Sequence, residues 1–294
     1  MIKSLTRIFA SARGLAAFGM AAAAWAVAGA AHAGGLGEPQ PWQIGMQPPV
    51  TPIEQGIHNF HNLLLSIIVA IVLLVMVLLL YVVFRFRASV NPVPSKTSHN
   101  TLIEVVWTLV PILILVVVAV PSFRLLYAED RIPPADMSVK VVGHQWYWTY
   151  SYPDNGNISF DSLMVQDKDL KPGQPRLLET DNHLVVPVNT TIRVLVTSTD
   201  VLHGWYVPAL GVQKEAVPGR TNETWFRAEK VGTYYGECTE LCGVNHAYMP
   251  IVVDVVSKEA FKKWLVVAKK QFASLGTPAE RVAMNVAPSA TAVR

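Results

Sequence analysis

The chain has 294 residues, of which 51% are hydrophobic and only 15% charged; an average soluble domain carries about 25% charge, so a wholly water-soluble protein is excluded and part of this chain belongs in lipid. The formal net charge of +3 conceals an asymmetry, because Lys3, Arg7 and Arg13 gather at the N-terminus while residues 129–256 hold 16 acidic and 10 basic side chains. The acidic excess of that region argues against nucleic acid as a partner and for a basic protein.

In chain order, Lys3, Arg7 and Arg13 precede an apolar, alanine-rich run that ends in the small-residue sequence Ala31-His32-Ala33. Residues 1–33 read as a secretory signal peptide cleaved after Ala33. Residues 34–62 form an N-terminal extension, Pro/Gly-rich and extended as far as Pro52. Residues 63–84 are apolar without a charge, and a span needs about 20 such residues, so they predict a transmembrane helix closed by Arg85 and Arg87. A polar loop at 88–100, with Pro92, Pro94 and Lys96, leads to a second span at 105–123. Pro111 and Pro121 are compatible with a lipid-buried helix. The hairpin thus occupies 63–130. Cationic loops stay cytoplasmic, which leaves both mature termini outside and agrees with the signal peptide. The expected setting is a bacterial inner membrane, crossed twice, with the large domain on the periplasmic side. Thr101-Leu-Ile-Glu104 fits a capping box at the start of the second span. An ionisable group near the cytoplasmic end of a span is also a proton-path candidate, so Glu104 carries both readings, with His99 as a lesser neighbour.

From Met137 the pattern becomes β-rich. Short runs at 138–143, 183–188, 191–196, 223–226, 232–235 and 250–255 are separated by turns such as Pro153-Asp-Asn-Gly156 and Lys171-Pro-Gly173. Such spacing predicts an all-β sandwich or barrel over 131–256. Residues 257–274 read as one amphipathic helix, and the remainder of 257–294 as a loose tail.

The segment Cys238-Thr-Glu-Leu-Cys242-Gly-Val-Asn-His246-Ala-Tyr-Met249 uses the only two cysteines. Outside the cytoplasm a lone pair would usually be oxidised, but a disulfide requires neither His246 nor Met249. Two thiolates, an imidazole and a thioether are the soft and borderline donors that suit copper. A remote histidine normally completes such a site. His203 is the best candidate; His183 is expected to be exposed at a strand start and His144 to be a hydrogen-bonding core residue. His203, Cys242, His246 and Met249 alone would satisfy a mononuclear blue-copper recipe. Using Cys238 as well closes the inventory for a dinuclear centre, with two bridging thiolates, one histidine per copper, Met249, and the backbone carbonyl of Glu240.

These residues resemble the dinuclear copper (CuA) signature of cytochrome c oxidase subunit II. Gly143-His-Gln-Trp146-Tyr-Trp-Thr-Tyr150, Asp200-Val-Leu-His203, Val217-Pro-Gly-Arg220 and Glu104-Val-Val-Trp107 are similar to that family too. The resemblance implies an α+β membrane protein, a two-helix transmembrane hairpin followed by a cupredoxin-like Greek-key β-barrel. It implies that His203, Cys238, Glu240, Cys242, His246 and Met249 hold CuA, and that the Glu240 carboxylate reaches a Mg or Mn ion shared with the catalytic subunit I. Trp146 would receive electrons from cytochrome c, which would dock through Asp154, Asp161, Asp181 and Asp200. Glu104 would stand at the mouth of a proton channel, and Arg220 near a haem propionate. The chain has no Cys-x-x-Cys-His haem attachment, so haem, oxygen reduction and most proton pumping are assigned to subunit I and further oxidase subunits. Two other classes compete. A membrane-tethered copper chaperone needs neither Met249 nor His246, and a quinol-oxidising relative would not retain the soft ligands. An unassisted reading of Trp146, Tyr147 and Trp148 has them alternate sides of a strand, with at least one facing solvent.

Overall fold

The computed structural model describes residues 37–272. The signal peptide and the end of the tail expected from the sequence lie outside the described residues. Two long helices come first, α1 (Pro52–Arg85) and α2 (Thr101–Asp130). Both are long and apolar enough to cross a membrane, with mean hydropathies of 3.5 and 2.7 in their most apolar windows. Both helices run past the expected spans. At 1.5 Å per residue α1 is about 51 Å long, whereas residues 63–84 supply the roughly 30 Å that hydrocarbon requires. Hydropathy marks only the lipid-matched part, and capping sets the true ends. Thr51 is extended and its hydroxyl accepts from Glu54 N at 3.0 Å, with Pro52 opening the helix. Residues 52–62 of the expected N-terminal extension are therefore helical. Asn100, not Thr101, caps α2: its side chain accepts from Ile103 N at 3.2 Å, and Glu104 reaches back to accept from Asn100 N at 3.2 Å.

The β region forms two five-stranded sheets packed face to face. In chain order the strands are β1 (Met137–His144), β2 (Tyr147–Tyr152), β3 (Ile158–Ser162), β4 (Leu184–Pro187), β5 (Ile192–Ser198), β6 (His203–Val207), β7 (Val212–Ala216), β8 (Asn222–Phe226), β9 (Gly232–Cys238) and β10 (Ile251–Val256). One sheet has the order β3-β2-β1-β5-β8 and the other β4-β10-β9-β6-β7. The β1–β5 and β4–β10 pairs are parallel and the rest antiparallel, so the chain must cross between sheets rather than meander. Together with the apolar hairpin this is the expected fold class. Alternation drives it: along β5 the buried positions are Ile192, Val194, Val196 and Ser198. Between the sheets lies a core of fully buried aromatics, including Trp148, Tyr150, Tyr152, Phe160, Trp205 and Phe226. Their polar ends are satisfied, as in the Tyr152 hydroxyl, which donates to Val185 O and accepts from Val185 N, both at 2.9 Å. Helix α3 (Lys258–Phe272) closes one edge by stacking Trp264 and Phe272 on Tyr152 and Phe160.

The hairpin is hydrogen-bonded to the barrel. Thr51 Oγ1 donates to Leu210 O at 2.8 Å, Val50 N to Ala209 O at 3.2 Å, and Trp225 Nε1 to Ala128 O at 3.2 Å.

His183 is half-buried rather than exposed. Its Nδ1 meets Asp254 at 2.8 Å and its Nε2 meets buried Glu179 at 2.6 Å, which ties the loop before β4 to β10. Burial works against a charged imidazole here, but the two carboxylates outweigh it and raise the His183 pKa. Burial likewise opposes ionisation of Asp254, yet His183 and Thr233 hold its pKa below the usual carboxylate range. Histidine's contribution is complete below its unfolded value of about 6.5 and fades as pH climbs through the raised folded value. Asp254's is complete above about 3.9 and fades as pH falls through the depressed one. Both act fully between about pH 4 and 6.5. His183→Gln should therefore lower the melting temperature of the detergent-solubilised chain at pH 6, with the deficit shrinking by pH 9. A deficit that does not change with pH would show that the ion pairs are absent.

Candidate metal centre

The strand order explains why residues 35 apart in sequence share a site. β6 and β9 pair antiparallel with Trp205 opposite Cys238, so the first residue of β6, His203, lies beside the last residue of β9. From Cys238 the chain makes one loop, with a single 3₁₀ turn at His246–Tyr248, before re-entering the sheet as β10. That loop carries Glu240, Cys242, His246 and Met249. Gly143 permits the packing beneath it, since a Cβ there would lie 2.8 Å from the His203 ring.

Cys238 Sγ lies 3.9 Å from Cys242 Sγ. That is far beyond a disulfide bond of about 2.05 Å, and less than twice a metal–thiolate bond of about 2.3 Å. Around Cys238 stand His203 Nδ1 at 4.0 Å and the Glu240 carbonyl oxygen at 3.4 Å. Around Cys242 stand His246 Nδ1 at 3.6 Å and Met249 Sδ at 3.5 Å. Each sulfur thus has one imidazole nitrogen and one weak donor within 4.0 Å. His203, Cys238, Cys242 and Met249 are buried, while Glu240 and His246 are half-buried. Among the described residues, His203, Cys238 and Cys242 form the one His/Cys/Asp/Glu group of three or more whose ligand atoms all lie within 4.8 Å. The donor set and its spacing fit a copper pair.

The electrostatics of the pocket point the same way. Burial opposes ionisation of Cys238, but His203 and nearby hydrogen bonds outweigh it and lower its pKa. Burial and the charge on Cys238 together push the Cys242 thiol up to about 12. One thiolate is accepted and a second resisted until a cation neutralises the pair, so metal loading expels protons.

Asp200 has a role that the sequence reading assigned elsewhere. Its carboxylate accepts from His203 Nε2 at 2.8 Å, which leaves Nδ1 directed at Cys238. It also accepts from Gln145 N at 2.7 Å and Val201 N at 2.6 Å. The i, i+3 spacing of Asp200 and His203 was the available signal, because ligand histidines usually give their second nitrogen to a carboxylate. Gln145 and Trp148 were also missed. Gln145 Nε2 donates to Cys242 O at 2.7 Å, and Trp148 Nε1 to Met249 O at 3.2 Å, so both hold the loop by its backbone.

Trp146 does not lie in a strand. His144 pairs with Tyr147, their rings stacked at 4.5 Å, and Gln145-Trp146 is the two-residue hairpin tip between them. Trp146 is half-buried, and its Nε1 donates to the same Cys242 carbonyl at 3.2 Å. Its ring packs on Gly243, whose φ of +124° and 3.0 Å clearance to that ring leave no room for a side chain. A shallow cavity of about 410 Å³ opens beside it, lined by Leu163, Met164, Gln166, Asn245 and Tyr248. His144 hydrogen-bonds Thr149 and Thr199, a structural role.

The four expected docking acids separate. Asp161 accepts from Thr149, Asp181 from Leu163 N, and Asp200 from Gln145 N, which places all three at the Trp146 end of the barrel. Asp154 accepts from Ser138 N at the other end of the β1–β2 hairpin, about 20 Å away. Glu104 lies 26 residues before the end of α2, about 39 Å along the helix from the barrel, and His99 is exposed beside it. Arg220 is exposed in the turn after β7, with no ion pair among the described residues.

Comparison with known proteins gives consistent matches. Residues 39–125 match the family model described as cytochrome C oxidase subunit II, transmembrane domain, and residues 137–256 match cytochrome C oxidase subunit II, periplasmic domain. The chain is 54% identical over 239 residues to a probable cytochrome c oxidase subunit 2 from Rickettsia bellii, covering 81% of this chain and 88% of that one. It is 48% identical over 231 residues to cytochrome c oxidase subunit 2 from Phytophthora megasperma, covering 77% and 87%. Among solved structures, the periplasmic domain of subunit II of cytochrome oxidase from Bradyrhizobium japonicum aligns with a TM-score of 0.46 and 55% identity, covering 48% of this chain and 99% of that one.

Asp200→Asn keeps the shape but removes the charge that orients His203. It should weaken copper binding about 10- to 100-fold in competition with a chelator. An unchanged affinity would show that His203 needs no carboxylate partner.

Proposed function

This chain belongs to the cytochrome c oxidase subunit II family, and on that premise we propose that it takes electrons singly from cytochrome c and passes them towards a haem in subunit I, where oxygen is reduced to water and protons are translocated. The observation that carries the reading is the convergence of both cysteines, two histidines, Met249 and the Glu240 carbonyl around one pair of sulfurs. When bound there, a dinuclear copper centre supplies a one-electron redox couple. The chain's own residues do the rest. Asp200 fixes the tautomer of His203, Trp148 and Gln145 hold the ligand loop, and burial keeps water from the sulfurs.

Trp146 is the surface-side contact of the relay. Its hydrogen bond to Cys242 O joins an aromatic ring at the barrel rim to a ligand backbone in one step. Around it Asp161, Asp181 and Asp200 provide negative charge and Leu163 and Tyr248 provide exposed apolar surface, a combination suited to a basic protein with an apolar contact centre. Asp154 lies too far away to share that face. The Glu240 carboxylate belongs to no group of three or more metal-ligating side chains among the described residues, so a Mg or Mn ion there would draw further ligands from subunit I. The two apolar helices would cross a bacterial inner membrane with the barrel on the periplasmic side, which puts Glu104 at the cytoplasmic end. Its Oε1 caps α2, and its second oxygen keeps lone pairs that can take a proton without breaking that hydrogen bond.

The purified oxidase containing this chain should hold two copper ions in this domain and show a seven-line EPR spectrum from one electron shared between them; a single copper, or a disulfide between Cys238 and Cys242 in the active enzyme, would overturn the reading. In the same preparation Trp146→Phe should leave copper content unchanged and slow cytochrome c oxidation by about tenfold or more. Glu104→Ala should slow proton uptake during turnover, and wild-type turnover in that variant would leave the carboxylate as a helix cap alone.

A further inference from the structure

Where the two helices meet the barrel they leave an apolar groove of about 400 Å³. Its walls include Gly56, Asn59 and Leu63 of α1, Pro121 and Arg124 of α2, and Trp225 of β8. The helical members recur three and four residues apart, so each helix presents one continuous stripe to the groove. Arg124 is the first charge after the apolar run 105–123 and is exposed. It makes no ion pair among the described residues. Asn59 Oδ1 accepts from Gln55 Nε2 at 3.1 Å, which leaves the Asn59 amide hydrogens available as donors. The Trp225 indole is held across the upper end by its bond to Ala128 O.

A cation at the edge of hydrocarbon is costly unless it finds an anion, and nothing among the described residues supplies one to Arg124. Guanidinium matches phosphate with two parallel hydrogen bonds. Apolar walls lie on the lipid side of Arg124, and a tryptophan of the kind enriched at the headgroup level lies on the other. We propose that this groove binds one phospholipid of net negative charge, its phosphate on Arg124 and Asn59 and an acyl chain along Leu63 and Pro121. A net-anionic lipid neutralises Arg124, whereas a zwitterionic one brings a second cation with its phosphate.

The test uses the full chain, alone and within the oxidase it purifies with, in nanodiscs of phosphatidylglycerol and phosphatidylcholine, followed by native mass spectrometry in mild detergent. The wild type should retain one phosphatidylglycerol in preference to phosphatidylcholine. Arg124→Gln should retain it about tenfold less, as expected for loss of a charge-assisted contact, with Arg124→Lys intermediate. A phosphatidylglycerol carrying a photoreactive acyl chain should label peptides containing Leu63 or Pro121 in the wild-type chain, a result that does not depend on any variant folding. Equal retention of both lipids, equal retention by Arg124→Gln, labelling confined to other surfaces, or crosslinks showing the groove filled by another subunit would each overturn the proposal.

Discussion

The pairing of β6 with β9 is the constraint on which the site depends. One register, Trp205 opposite Cys238, decides whether His203 reaches the sulfurs or faces away, because a one-residue slip turns every side chain to the opposite face of the sheet. The register is guarded from both sides. Trp205 is fully buried, with its Nε1 directed at the Tyr150 hydroxyl at 3.4 Å, so a slip would expel an indole from the core. Thr239 N also donates to Gly204 O at 3.0 Å, extending the ladder one step past Cys238 into the ligand loop. The hydrophobic core thus sets the position of the site, and the metal donors need only local loop geometry to complete it.

The proposed ligands could be picked out because metal chemistry restricts residue type and spacing more tightly than folding does. Five of the six proposed donors lie within twelve consecutive residues, and only His203 had to be found at a distance. Less visible were the parts that depend on geometry. Strands β2, β3, β6 and β7 escaped the pattern reading. β2, Tyr-Trp-Thr-Tyr-Ser-Tyr, alternates with Trp148, Tyr150 and Tyr152 buried and departs from the pattern only at Tyr147, whereas β7, Val-Gln-Lys-Glu-Ala, is polar over most of its length and gives little apolar signal. The tight tip at Gln145-Trp146 carries no glycine, proline or asparagine to announce a turn. The start of α1 was missed for a different reason. Hydropathy detects what touches lipid, whereas Thr51 begins α1 by hydrogen bonding where hydropathy has already fallen; at α2 the capping-box reading came within one residue of the Asn100 cap.

Acidic residues show most clearly why composition misleads about role. A surplus of carboxylates suggested a docking face, and three of the four named acids do lie at the Trp146 end. Yet each accepts a hydrogen bond from the fold itself, and Asp200 accepts from His203, Gln145 and Val201 together. Those bonds depress its pKa although burial would raise it, so the charge persists while held in place. A carboxylate fixed in this way can orient a ligand and still present a field to an approaching protein, because its side chain remains 30% exposed.

The proposed relay between a soluble donor and a membrane-embedded acceptor would also require that the barrel not swing on its anchors. Flexible linkers between domains are the default, and this chain departs from it. α1 enters the barrel through a capped turn whose threonine side chain bonds both the helix and Leu210 O. α2 is held near its last turn by Trp225, and the segment before α1 adds Tyr235 N to Gly37 O at 2.9 Å. Gly37 fits only because it has no side chain, since a Cβ would lie 2.4 Å from Thr233 O. Three attachments from three separate stretches of chain remove the hinge that any one of them would allow. The direction in which the sulfur pair faces is then set by the same helices that set its height above the lipid.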